Sequence, residues 1–293
     1  MTADTLTPAR CDPEVPDWGS IELPKTRVDE YDFRRPDHLV RVIREVFGKR
    51  RKSVELPEDM PGRDLIPKYV LQEFHNIPNG NYSQHFTRGY VTGFDRMMLG
   101  VMTSAREYMA KQLGECQSVL DAGCSGGKTA AALRQVGIAD VWGLDVSPYL
   151  LQHAARDHEN IKFIHALAED TGFPSERFDG IAASFLFHEL PPRFAKEALA
   201  EFYRILRPGG LLTICEPSPT QLDLSLWNTL REYGVKGFYY AALARWAFEP
   251  FVVTWHKLAT KETFQAQGFE VLEDKTGMPL RQILLRKPKA DAP

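Results

Sequence analysis

The sequence predicts an α/β protein built as a doubly wound, mostly parallel open sheet, and three stretches predict it. Ser118 to Ala130 reads SVLDAGCSGGKTA: a short apolar run ends at Asp121, small residues follow, and helix-prone Lys128 to Gln135 comes next. Ile138 to Pro148 (IADVWGLDVSP) repeats the plan, with an apolar strand ending at Asp145 and a helix opening near Pro148. Phe178 to Leu190 (FDGIAASFLFHEL) and Leu211 to Cys215 then read as further buried strands. Apolar strands alternating with helical segments are the pattern of parallel βα units, and ligands of such sheets gather beyond the carboxyl ends of the strands.

The first turn is the most informative. A dinucleotide fingerprint counted from Gly123 would need glycine at Ser125 and Lys128, so it fails twice. A phosphate loop finds its ending in Gly127, Lys128 and Thr129, but its first glycine falls on Ala122 and Asp121 would face a polyphosphate. The third reading is the nucleoside turn of S-adenosylmethionine enzymes, where an acid closes the strand before the loop. That cofactor carries an ammonium and a sulfonium and no phosphate, so Asp121 suits it. Gly123 and Gly127 can adopt backbone angles closed to other residues, and their missing Cβ atoms are expected to leave room for the ligand. Asp145 follows roughly twenty residues later, where a carboxylate can accept both ribose hydroxyls. Asp145 or Ser147 can equally cap the helix beginning near Pro148.

On these residues the chain resembles class I S-adenosylmethionine-dependent methyltransferases over roughly Gln117 to Pro217, with a familiar ending from Gly268 to Pro288. The blocks LDAGCSGG, GLDVSP, ALAEDTGFPSERFDGIAASFLFHELP and RILRPGGLLTICEP stand in the family's order and spacing. The resemblance implies a Rossmann-like, seven-stranded, mostly parallel sheet and S-adenosyl-L-methionine as cofactor. It implies cofactor contacts at Asp121, Gly123, Cys124, Ser125 and Gly127 in the first turn and at Asp145 and Val146 after the second strand. Ala168, Glu169 and Ser184 complete the set. Ser125 stands where many members carry glycine. Leu167 stands where many place the acid that accepts the adenine amino group, so Glu169 or Asp170 would substitute, with the Ala168 amide near the ring.

At the later strand ends, His188 can orient a substrate or act as a general base, or it can be a hydrogen-bonded histidine packed by Phe185 and Phe187. Glu216 can touch substrate or fix a loop. Arg207 to Gly210 reads as the turn before the fifth strand. If the acceptor must lose a proton, His188, His85 and Glu216 are the candidates in that order. The histidines 75, 85, 188 and 256 show no metal-type spacing, and no metal site is assigned.

The flanks are organised around this domain. Residues 1–113 read as an extension and helical lid, 114–217 as the cofactor domain, 218–258 as an aromatic helical insertion, and 259–293 as the last helix and closing hairpin. The opening residues are expected to be loosely ordered. Leu39, Val42, Ile43 and Val46 share one helical face within Asp37 to Phe47, which predicts a docked helix. IPNGNYSQHFTRGY predicts a turn at Pro78–Gly80. By the resemblance its polar residues belong to a lid that brings Tyr82 and His85 to the methionine end of the cofactor. The insertion carries nine aromatics from Trp227 to Trp255 and reads as a roof over the acceptor pocket, a packed helical pair or a homodimer surface. Lys261 to Gln267 reads as a helix, followed by strands at Glu270–Glu273 and Arg281–Arg286.

The chain has 293 residues, 43% of them apolar, and a formal net charge of −3, without the basic stripe of a nucleic-acid binder. No apolar segment suits a membrane span or a signal peptide. Four cysteines without metal spacing point to reduced thiols in the cytoplasm. The expected function is methyl transfer to a small, partly apolar or aromatic acceptor. The competing readings are a lipid or fatty-acyl carbon-methylating enzyme, a non-catalytic S-adenosylmethionine-binding protein and a nucleotide hydrolase built on Gly127, Lys128 and Thr129.

Overall fold

The computed structural model describes residues 10–48 and 52–289; the opening segment expected to be loosely ordered falls largely outside them. Three helices precede the sheet: α1 (Pro36–Phe47), α2 (Gln84–Met97) and α3 (Val101–Gln112). Ser83 starts α2 by accepting the Phe86 amide at 3.2 Å, the usual service of an N-cap hydroxyl. Three βα units and one strand without a helix follow. They are β1 (Ser118–Ala122) with α4 (Lys128–Gln135), β2 (Asp140–Asp145) with α5 (Pro148–Asp157), then β3 (Lys162–His165), and β4 (Phe178–Ser184) with α6 (Pro192–Ile205). Next come β5 (Leu206–Pro217), the helices α7 (Thr220–Asp223), α8 (Leu226–Trp246), α9 (Val252–Leu258) and α10 (Lys261–Ala266), and the strands β6 (Glu270–Thr276) and β7 (Leu280–Arg286).

The strands form one seven-stranded sheet in the order β3-β2-β1-β4-β5-β7-β6. The first five are parallel, and β7 runs antiparallel to both β5 and β6. Every residue of β1 is buried, as a central parallel strand covered on both faces requires. One face packs Met109, Leu113, Leu133, Leu151 and Phe163 beneath α3, α4 and α5. The other packs Phe178, Leu199, Phe202, Trp255 and Phe264 beneath α6, α9 and α10. Among the described residues no helix is long and apolar enough to cross a membrane, and the four cysteines are free thiols.

Three expectations about elements need correction. The strand read as Phe178 to Leu190 stops at Ser184, because Phe185 takes a positive φ of 58° and the chain turns into a short 3₁₀ segment, Phe187–Glu189. Arg207 to Gly210 is no separate turn; it is an irregular lead-in within β5, where the register with β4 shifts between Phe178 and Gly180. The helix α1 forms as expected, but its apolar face is only partly covered: Leu39 and Ile43 are 45% and 48% exposed, while Val42 and Val46 are half-buried. Its inward side instead carries Glu45, whose Oε1 accepts the Tyr31 hydroxyl, Arg27 and Lys52.

Candidate active site

The strand order reverses between β1 and β4, and there a pocket opens beyond the strand ends, where open α/β sheets place their ligands. Its walls come from five stretches. The first turn gives Gly123, Cys124, Ser125 and Gly126, and the second gives Asp145, Val146, Ser147 and Leu150. Ala166, Leu167 and Ala168 follow β3, and Ser184, Phe185, Leu186 and Glu189 follow β4. The helical segment before the sheet adds Asn81, Tyr82, Tyr90 and Phe94, with Arg106 of α3 behind them.

The first turn is built for close approach. Gly123 has φ +69°, and a Cβ there would sit 2.9 Å from Leu186 Cδ1, so only glycine fits. Gly127 also has positive φ, +76°, but its missing Cβ makes room for Phe163 and His158 rather than for a ligand. This corrects its expected role: it lets α4 start flush against the sheet.

The two acids divide the work. Asp121 is buried behind the turn, outside the pocket wall, and its Oδ2 accepts the Ala130 amide at 2.8 Å. That bond satisfies one of the free amides in the first turn of α4. Burial pushes its carboxyl up to about 7, while Oδ1 makes no hydrogen bond. Asp145 lines the pocket and joins its two turns: Oδ2 accepts the Ser125 amide at 2.8 Å and Oδ1 the Ser147 amide at 2.9 Å. Burial raises its carboxyl to about 6 against the lowering effect of these amides. Ser147 does cap α5, accepting the Leu150 amide at 3.3 Å.

The lid stretch packs onto these turns. The Tyr82 hydroxyl donates to the Val146 carbonyl at 3.4 Å, and Ser147 Oγ donates to the Asn81 carbonyl. The pocket-lining Asn81 keeps a buried Oδ1 without a hydrogen bond. His85 lies elsewhere: its side chain is 55% exposed, with Nδ1 3.4 Å from Asp29, which corrects its placement at the cofactor. His85→Ala is therefore expected to leave cofactor affinity within about twofold, whereas Tyr82→Ala weakens it tenfold or more, about 1.4 kcal/mol. Calorimetric titration of both variants checks the contrast.

Five further site expectations change. His188 and Glu216 are fully buried and do not line the pocket. Glu216 Oε1 accepts the amides of Leu186 and Phe187 at 2.9 and 2.8 Å, and Oε2 lies 2.6 Å from His188 Nδ1. The pair fixes the loop after β4, because a strand that ends abruptly leaves amides needing acceptors. Glu169 does not line the pocket either, since its Oε1 takes the Tyr69 hydroxyl at 2.6 Å, and Asp170 pairs with Arg10 at the surface. Nor does the insertion roof the pocket: no residue from 218 to 258 lines it. Gly234 (φ +68°) breaks α8, and its second half packs on the α2–α3 corner. There Tyr239 and Tyr240 donate to the carbonyls of Met97 and Met98. Trp255 stacks on Phe187 inside the core, while Trp227 and Phe238 stay 70% and 40% exposed.

Sequence reasoning missed a cationic group at the pocket edge. Arg106 and Lys128 both reach Asp95, at 2.8 and 2.7 Å, and both line the cavity. The available signal was Arg106 itself, a charge set among the buried Met102, Ala105 and Met109 of one helix. Lys128, which the phosphate-loop reading needs at a phosphate, is held in this pair.

The strand order, the glycine turn and the acid closing β2 are the arrangement implied by the resemblance to class I S-adenosylmethionine-dependent methyltransferases. Residues 119–210 match the family model for the methyltransferase domain, and this chain carries that domain. An uncharacterized methyltransferase of Synechocystis is 35% identical over 100 residues, 34% of this chain and 47% of that protein. The demethylmenaquinone methyltransferase of Chlorobaculum tepidum is 33% identical over 102 residues, 34% of this chain and 40% of that protein. The chain thus spans less than half the length of these curated relatives. Among solved structures, the 1,6-didemethyltoxoflavin-N1-methyltransferase of Burkholderia thailandensis aligns with TM-score 0.48 at 21% identity. That alignment covers 70% of this chain and 86% of the other.

Proposed function

We propose that the chain binds S-adenosylmethionine in this pocket and transfers its methyl group to a small, partly apolar aromatic acceptor. The observation that carries the reading is Asp145: a pocket-lining carboxylate at the end of β2, held by two amides beside the Gly123 turn. The residues present suit the cofactor. Asp145 offers acceptors to a ribose diol, and Val146, Leu150, Leu167 and Ala168 offer an apolar slot to adenine. Arg106 and Lys128 offer positive charge to a carboxylate, and the unpaired Asn81 Oδ1 offers an acceptor. When bound, the cofactor supplies an already activated methyl group, so the protein's task is alignment and exclusion of water.

The acceptor end is aromatic, lined by Phe74, Tyr90, Phe94 and Phe185. A quinol or phenol suits such a wall, in line with the demethylmenaquinone relative. Where that acceptor must lose a proton, Glu189 is a second carboxyl in the wall besides Asp145, and burial raises it to about 8, near the working range of a general base. The test is calorimetry with S-adenosylhomocysteine, followed by transfer of a labelled methyl group across quinols and phenols. Micromolar 1:1 binding with turnover of an aromatic acceptor is the expected result. Binding without any turnover points to the non-catalytic binder, and no binding by folded protein removes the reading.

A further inference from the structure

Beside the pocket, three segments far apart in sequence bring imidazole and carboxylate groups to one buried point. His75 lies in the 3₁₀ segment Phe74–Asn76, His188 in the segment after β4, and Glu249 between α8 and α9. One ligand atom of each falls within 4.8 Å of the others. His75 Nε2 lies 3.5 Å from Glu249 Oε1 and 3.4 Å from Glu189 Oε1, and His188 Nε2 lies 3.8 Å from Glu249 Oε1. Ligands bound at about 2.0–2.1 Å in a tetrahedron stand about 3.4 Å apart, so the group is near the required spacing.

We propose that His75 Nε2, His188 Nε2 and Glu249 Oε1 form a binding site for one divalent first-row transition ion of the Zn²⁺ type. The proposal goes beyond methyl transfer and stands whether or not the pocket binds its cofactor.

Three observations carry it. First, the side chains of His75 and His188 are 8% and 0% exposed, and three of their four ring nitrogens, His75 Nδ1, His75 Nε2 and His188 Nε2, make no hydrogen bond. Buried polar atoms left unpaired are costly and call for a partner. Second, His188 is held as metal-bound histidines are, with its other ring nitrogen 2.6 Å from the Glu216 carboxylate, which fixes the ring and points Nε2 at the cluster. Third, three carboxylates, Glu189, Glu216 and Glu249, converge on this point. A dication relieves their repulsion.

Three protein ligands leave the fourth tetrahedral position of such an ion to a water. The ion would pin the lid to the loop after β4 and to the insertion. The same seam is already sewn by the His75 amide donating to the Phe248 carbonyl and by Asn76 Nδ2 donating to the Trp246 carbonyl.

The test uses the full chain, stripped with chelator and titrated with Zn²⁺ and with Co²⁺ as an optical probe. Wild type is expected to take up one ion per chain and to gain about 5 °C or more in Tm with Zn²⁺ in excess. Glu249→Gln and His75→Ala, each confirmed folded by circular dichroism in chelator, should bind at least about 100-fold more weakly and lose the Tm gain. His85→Ala, at the exposed histidine, should bind as wild type does. Folded wild type without stoichiometric uptake overturns the site, and so do both variants binding as tightly as wild type.

Discussion

Asp145→Ala is expected to weaken S-adenosylhomocysteine binding by about 100-fold or more. Two losses combine. A ribose diol would lose a charged acceptor, with hydrogen bonds to charged groups worth about 1.5–3 kcal/mol. The amides of Ser125 and Ser147 would lose the oxygens that hold both turns in place. Together these reach about 3 kcal/mol, or two decades in affinity. Asp145→Asn keeps one acceptor oxygen and should fall between the two. The pH dependence separates the charge from the shape. In the free protein the carboxyl is raised to about 6 by burial. It is therefore the accepting carboxylate above that pH and a neutral acid below it. Wild-type affinity should hold from pH 8 to 7 and then fall about tenfold per pH unit below 6. The Asn variant should lack this fall. Calorimetry between pH 5 and 8 decides the matter, and an Ala variant within twofold of wild type would sink the assignment.

The domain that holds Asp145 was legible because its signals are local. The strand, glycine turn and helix at β1–α4 follow from residues adjacent in sequence, and α4 runs Lys128–Gln135 as expected. The capped helix after Asp145 and the closing hairpin of β6 and β7 were equally readable. What failed depends on distant contacts. Nothing around His188 announces that Glu216, on the next strand, will claim its ring and three amides. The aromatics of the insertion are plain in the sequence, but their direction is set by the break at Gly234, and glycine in a helix does not say which way the chain bends. His75, His188 and Glu249 follow the same logic, since spacing rules find metal ligands only when neighbours in sequence are neighbours in space. His85 misled because it follows a genuine lid residue, whereas the first turn of α2 aims it outward at Asp29.

Glu216→Gln is the second large effect, expected in stability rather than binding. In metal-free protein, His188 sits with no exposure beside Glu216 and within 3.8 Å of Glu249. Burial alone would lower its pKa, but these carboxylates outweigh it and raise it from 6.5 to about 9. A raised folded-state value means that the pair's stabilisation is complete below about pH 6.5 and drains away as pH rises through about 9. The Gln side chain preserves shape and leaves one oxygen for the loop amides, yet it removes the charge opposite a buried imidazolium. Breaking one partner of a buried pair costs about 3 kcal/mol or more. Urea unfolding of chelator-treated protein at pH 6.5 should show that gap between wild type and variant, with the m-value unchanged. Repeated at pH 9.5, where His188 is neutral in both, the gap should shrink by more than half. A gap that stays constant across that range would mean that Glu216 works through its backbone amides alone, and that His188 is uncharged in the fold.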